Sequence, residues 1–240
     1  MKKIQQTEKL FSIALIMLIS ANAFAQGGFN VHSEAKTMHY WRGLRVTDAF
    51  MIGTSAGYFG DSFSAFVWGG LSLNGEYKEV TPVISYSTGN FSATLIDINN
   101  FSGLEKIDYF NFDAETTNHI VDLTLGYDFT FMHVAWSTIL YGNDRITGTG
   151  HQRYSTYVEF GFPVKVNKTS VTPFIAPAFA LNGDAETMIY GDDEKAGIAN
   201  VGFRVNRIVE ISDYKLPVTA EVGFNTALEQ ASVQLSLNLF

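Results

Sequence analysis

Apolar and polar residues alternate along most of this chain in runs of about ten, and short and long connections alternate between the runs. The cleanest run is Tyr154–Val166. Tyr154, Thr156, Val158, Phe160, Phe162, Val164 and Val166 share one face, and Arg153, Ser155, Tyr157, Glu159, Gly161 and Lys165 share the other. A period of two over this length describes a strand that is oily on one side and wet on the other. It is longer than the usual strand of about 5–6 residues, and it suits a tilted membrane span of roughly 9–11. The same split recurs in His119–Phe129, Ala199–Ile211 and Leu216–Asn225. Charged residues return to the polar face in strand after strand. In a barrel that face is the lumen.

The pattern predicts about twelve strands, at 37–46, 49–59, 62–73, 76–88, 90–101, 117–129, 131–142, 151–166, 169–182, 196–211, 214–226 and 229–240. In 90–101, Ile96 and Ile98 fall off the apolar parity of Phe91, Ala93 and Leu95. Spacing of about 17 residues per strand and connection exceeds the 8–12 of a sandwich. If every strand crosses, Gly60-Asp61, Thr88-Gly89, Thr130, Asn167-Lys168 and Ser212-Asp213 lie at one rim. The three long connections, Gly103–Thr116, Asn143–Gly150 and Gly183–Lys195, lie at the other. Short turns on one side and long loops on the other are the asymmetry of outer-membrane barrels. The expected fold is therefore all-β, a transmembrane antiparallel up-and-down β-barrel over residues 37–240.

The start of the chain adds a compartment. Lys2, Lys3 and Lys9 precede or flank an apolar stretch from Leu10 to Ala21, and Ala23-Phe24-Ala25 supplies a small-x-small cleavage pattern. This predicts a signal peptide over 1–25 and a short periplasmic leader over 26–36. Residues 1–25 carry three Lys and one Glu, so their removal takes the formal charge from −8 to −10. That balance disfavours nucleic acid as a partner. Cysteine is absent, so packing or closed hydrogen bonding must hold the fold. No apolar run after residue 25 reaches the length of a membrane helix. Only a closed barrel would keep this chain in a bilayer, because every backbone polar group in lipid needs a partner.

The chain ends Val233-Gln234-Leu235-Ser236-Leu237-Asn238-Leu239-Phe240. This resembles the assembly signal of outer-membrane barrels, which implies the barrel-assembly machinery as a partner. Phe240 stands one step out of phase with Leu235, Leu237 and Leu239, which a bulge at the last residue would accommodate. Tyr40-Trp41-Arg42-Gly43 resembles the Tyr-Val-Trp-Arg-Gly stretch of some uncharacterised porins of Gram-negative bacteria, without the Val. Gly/aromatic strands at Ser55–Tyr58 and Phe66–Gly70 add to the likeness. The resemblance implies a pore-like role toward small solutes. On physical grounds Trp41 suits an interfacial girdle, and Arg42 would then face inward.

Parity assigns Arg42, Glu79, Asp122, Asp128, Arg153, Glu159, Lys165, Arg204, Glu210 and Glu221 to the lumen, and Phe66, Trp68, Tyr141 and Tyr157 as rings that narrow it. Both signs of charge occur. Such residues form either a salt-bridged filling or a selective constriction. A carboxylate cluster at Asp184, Glu186, Asp192, Asp193 and Glu194, with a second at 103–116, reads as solvated loops; cation binding or a bridge to lipopolysaccharide is the alternative. No metal site or cofactor is expected. The chain has no nucleophile elbow, no phosphate loop and no zinc motif. A catalytic His119 or His151 at the outer rim is the least favoured function. The leading expectation is a narrow, charged outer-membrane channel for small hydrophilic solutes. The alternative is a non-conducting barrel that acts through its acidic loops.

Overall fold

The computed structural model describes residues 27–104, 107–191 and 193–240. The predicted signal peptide lies outside them. Among the described residues fifteen strands follow one another in chain order. They are β1 (Gly28–Lys36), β2 (His39–Trp41), β3 (Leu44–Thr47), β4 (Met51–Phe59), β5 (Phe63–Ser72), β6 (Lys78–Thr88), β7 (Phe91–Asn100), β8 (His119–Asp128), β9 (His133–Gly142), β10 (Ser155–Gly161), β11 (Val164–Val166), β12 (Thr169–Ala180), β13 (Ala196–Ile211), β14 (Tyr214–Asn225) and β15 (Gln230–Asn238).

Thirteen of these make one antiparallel sheet that closes on itself. β1 pairs with β4 on one side and with β15 on the other. β10 and β11 are two halves of one wall strand, both paired to β12. The break falls at Phe162-Pro163, where proline has no N–H to give the ladder. The wall is thus a closed barrel of twelve strands, and closure leaves no sheet edge along its circumference.

Cross-strand register fixes the two faces. Thr54↔Gly69, Ala56↔Val67 and Tyr58↔Ala65 look outward, and Ser55↔Trp68 and Gly57↔Phe66 look inward. Around the outside, Val67, Leu71, Ile84, Leu95, Leu125, Trp136, Phe203, Val233 and Leu235 are all exposed apolar side chains. A belt of this extent is unusual for a surface that meets water.

The first strand differs from the sequence expectation. Residues 28–36, expected as a leader, form β1 of the wall, with nine register pairs to β4. Their outward set is Phe29, Val31, Ser33 and Ala35, too small and polar in its second half to stand out as an oily face. Residues 37–46, expected as the first wall strand, form instead the β2–β3 hairpin, which is not part of the barrel sheet. The reason is the turn. Arg42 and Gly43 both have positive φ, 49° and 86°, the backbone of a two-residue type I′ turn. A Cβ on Gly43 would collide with the Ala199 carbonyl, so only glycine fits there.

The short-turn rim is as expected: 60–62, 89–90, 129–132, 167–168 and 212–213 all lie at one end of the wall. The long connections and the β2–β3 hairpin leave from the opposite end. At the seam, Ser33 accepts from the Leu239 N–H and donates to the Phe240 carbonyl. Two residues there oppose one, which is the bulge that Phe240's phase requires.

Candidate functional site: a stoppered lumen

The hairpin folds back from the long-loop rim into that half of the lumen, where its side chains reach several wall strands. Its tip presents Arg42. The guanidinium grips Asp122 on β8 through two parallel bonds, Nη1 to Oδ2 at 2.7 Å and Nη2 to Oδ1 at 2.8 Å. It also donates to Thr124 Oγ1 at 2.8 Å and to the Tyr190 hydroxyl at 3.2 Å. Asp122 is fully buried. This planar fork on a carboxylate is the geometry at which arginine is strongest. Arg42 also lies 4.7 Å from the centre of the Trp41 ring, within cation–π range.

A loop completes the stopper. Residues 181–191 bring Ala185, Met188 and Tyr190 inside, where they pack with Tyr157, Ala176, Ala178, Ala180 and Ala199. Three inward alanines on β12 leave the room that these larger side chains occupy. Tyr190 is completely enclosed, and burial pushes its hydroxyl up to about 12. Asn225 on β14 ties the two pieces together, donating to the carbonyls of both Gly43 and Tyr190. Opposite the hairpin, Gly223 has no side chain, and a Cβ there would strike the Tyr40 hydroxyl.

Beneath the hairpin lies a second charge cluster, within the wall. Arg204 on β13 binds Glu159 on β10 through both terminal nitrogens, at 2.5 and 2.8 Å, and Glu221 on β14 through Nε at 2.8 Å. The Tyr157 hydroxyl donates to Glu159 at 2.8 Å and accepts from Asn200 at 3.4 Å. Asn200 in turn accepts from the Tyr40 hydroxyl at 2.7 Å. One chain of polar contacts therefore runs from the wall cluster to the hairpin.

A third contact faces β5 and β6. His39 stacks on Trp68 and Tyr77, with ring centres 5.6 and 5.4 Å apart. Trp68 donates to Glu34, which also pairs with Lys36 at 2.9 Å. Glu79 accepts from Tyr77 and Thr81. Burial, and then the nearby Lys36 charge, push the His39 imidazole down to about 3, so it is neutral at pH 7.

Several residues named from the sequence meet here. Asp122, Glu159, Arg204 and Glu221 point inward from the wall, as do Phe66, Trp68, Tyr157 and Glu79. Arg42 is central but belongs to the hairpin. Trp41 packs beside Tyr190 inside the lumen and not in an outer girdle. Lys165 shares the inner face with its partner Ser170 but is exposed at the short-turn mouth.

Other expectations need correction. Tyr141 is opposite the outward Val121, because a bulge at Leu140 shifts the register and reverses the parity beyond it. Its hydroxyl reaches the Phe112 carbonyl of the neighbouring loop. Arg153 precedes β10 in a rim loop, 4.0 Å from Asp144; the positive φ of Tyr154 (55°) breaks the alternation there. Glu210 sits on a β13–β14 tip that runs past both neighbours, whose pairing stops at Arg207 and Val218. It pairs with Lys168 at 3.4 Å, with both side chains mostly exposed. Asp184, Glu186, Asp193 and Glu194 are exposed loop residues. Among the described residues no acidic or histidine group converges on a metal position, and Asp192 lies outside them.

His119 lies on the outer face of the wall, buried against the neighbouring loop. Its ring nitrogens contact Asp97 at 2.7 Å and the Tyr109 carbonyl at 2.8 Å, and Phe112 stacks on it at 4.1 Å. It pins the loop around Tyr109 and Phe112 to the outside of the wall. Glu34, His39, Tyr40, Tyr190 and Asn200 were not expected at the site. The available signal was Met188-Ile189-Tyr190, an apolar run inside an acidic loop.

Compared with known proteins, the chain matches no family and no curated protein.

Proposed function

We infer that this chain is an integral outer-membrane barrel, closed at rest by its own β2–β3 hairpin. The observation that carries this is the Arg42–Asp122 fork. It fastens a segment that lies across the lumen to the wall through a buried carboxylate. Passage past it would break a charge-assisted pair in a dry site, where an unpaired carboxylate is costly. The continuous apolar belt supports contact with outer-membrane lipid and lipopolysaccharide. The short-turn rim and terminal aromatic suit insertion by the barrel-assembly machinery.

A channel for small hydrophilic solutes is the second possibility, and one feature favours it. Toward the short turns lies a cavity of ≈ 510 Å³ lined by polar His32, Glu34, Ser55, Lys215 and Asn238 together with apolar Pro217, Leu239 and Phe240. The hairpin joins adjacent wall strands, so it can leave the lumen without disturbing the barrel's closure. Conduction would then follow displacement of the hairpin.

Two measurements on the refolded full chain decide between these. In planar lipid bilayers the wild-type barrel is expected to insert and give no unitary current steps. Steady open channels in wild type would overturn the closed reading. A protein that stays monodisperse in water without detergent would overturn the membrane assignment.

A further inference from the structure

Inside the lumen the hairpin does not meet the whole wall. Between it and β5–β8 lies a cavity of ≈ 270 Å³. Trp68, Ile96, Ile98 and Ile120 line it from the wall, and Trp41 and Val46 from the hairpin. The two isoleucines of β7 are those that break the apolar parity of their strand. Register places them inward, Ile96 opposite Val83 and Asp122, and Ile98 opposite Ile120. A lumen that carried only water and ions would gain nothing from apolar side chains there. These remain partly exposed, so the molecule leaves unburied apolar surface in a concave site, where burial by a ligand is favourable.

The polar groups gather at one end. Glu79 is already bonded to Tyr77 and Thr81, and Lys36 is paired with Glu34. His39 is different: its Nδ1 is buried and has no partner. An anionic head would meet Glu79, and a cationic head would compete with Lys36. A neutral hydrogen-bonding group meets neither problem. The volume is at the lower edge of ligand cavities, which limits the occupant to a small molecule.

We propose that this cavity is a binding site for a small neutral amphipathic molecule, with an alkyl or aromatic body against Trp68, Ile96 and Ile98 and an alcohol- or amide-type head beside His39. The site exists only while the hairpin is docked, since His39, Trp41 and Val46 belong to it, and it therefore rests on the closed reading above.

The tryptophans provide the test. The chain has three. Trp41 and Trp68 line the cavity, and Trp136 is exposed on the outer wall. In a Trp136→Phe background, the full chain in phosphatidylcholine nanodiscs is titrated with 8-bromo-octan-1-ol, whose bromine quenches indole fluorescence. Quenching is expected to saturate, and unbrominated octan-1-ol is expected to reverse it. Ile98→Phe, which fills the cavity, should weaken the saturable component at least tenfold while the barrel stays folded. Quenching that rises in proportion to the probe without saturating, or that octan-1-ol fails to reverse, would reflect partition into lipid and overturn the proposal. So would unchanged saturable quenching in Ile98→Phe. If Ile98→Phe does not fold, the saturation and competition data on the parent chain decide alone. Current recordings tell the two failures apart: a silent barrel without saturable quenching overturns the site alone, whereas steady open channels overturn the closed reading.

Discussion

Two arginines organise the lumen, and they do different work. Arg204 joins three wall strands, bonding Glu159 on β10 and Glu221 on β14 from its place on β13. Arg42 joins the wall to a segment that is not wall, gripping Asp122 from the hairpin turn. Both are forks on carboxylates, and all three carboxylate partners are mostly or fully buried. The difference is what lies behind each guanidinium. Behind Arg204 is a ladder of backbone hydrogen bonds that holds the strands whether or not the side chain is present. Behind Arg42 is a short hairpin held mainly by side-chain contacts. Equal chemistry should therefore produce a strained wall in one case and a released stopper in the other.

The largest effect is expected from Arg204→Ala. It strands two carboxylates facing each other in a partly dry site, and removal of one side of a buried pair costs about 3–5 kcal/mol. The loss should appear as a lower temperature for converting the folded to the unfolded band in heat-modifiability gels. Adding Glu159→Gln and Glu221→Gln should recover most of it, since the amides carry no charge. Bilayer currents should not change, because the hairpin keeps its own anchor. New current steps in Arg204→Ala with a stable barrel would mean that the two clusters are not separable.

This division between wall and stopper also marks what the sequence could and could not convey. Eleven of the twelve wall strands, the short-turn rim and inward charges such as Asp122, Glu159 and Arg204 follow from a period of two, which holds wherever one face meets the lumen and the other an oily surface; the expected total of twelve is met only because the hairpin segment 37–46 stands in for β1. Parity is lost where the backbone leaves that period. Arg42-Gly43 is not a familiar hairpin pair of the Asn-Gly kind, so Tyr40–Gly43 looked like one more strand. The bulge at Leu140 turned Tyr141 outward without any local sign. The stopper itself was nearly silent, because its partners are distant in sequence and a single hydrophobic pattern cannot report on tertiary packing. Ile96 and Ile98 were the exception. Their wrong parity was a true signal of an apolar contact inside the lumen, visible in the chain but not interpretable until the hairpin had a place.

Arg42→Ala should come next in size. It leaves Asp122 buried and alone, at a cost of about 3 kcal/mol or more to the docked hairpin. The undocked segment then competes with the docked one, and unitary currents should appear in bilayers where wild type is silent. Asp122→Asn should act in the same direction but more weakly, since the amide oxygen still accepts from arginine. Arg42→Lys should fall between wild type and alanine, because lysine keeps the charge and loses the fork. If Arg42→Ala remained silent and its hairpin stayed protected from hydrogen exchange, the fork would not be what holds the stopper.

The smallest effect separates the hairpin from the wall by pH. Docked His39 is held neutral down to about pH 3 by burial and by Lys36, whereas an undocked histidine takes up a proton near 6.5. Between those values the undocked state binds more protons, so docking weakens as pH falls through 6.5 and continues to weaken until about 3. The slope for one such group is about 1.4 kcal/mol per pH unit, or about 2.5 kcal/mol between pH 6.5 and 4.5. His39→Phe keeps a ring against Trp68 and Tyr77 and removes the proton site. Comparing the two proteins cancels the titration of Glu34, Glu79 and the rest of the wall. Hydrogen exchange in residues 39–47 should accelerate on acidification in wild type and much less in His39→Phe, while exchange in β13 and β14 changes equally in both. Equal acid sensitivity of the hairpin in the two proteins would show that His39 is solvated while docked, and the β5–β6 contact would then contribute packing alone.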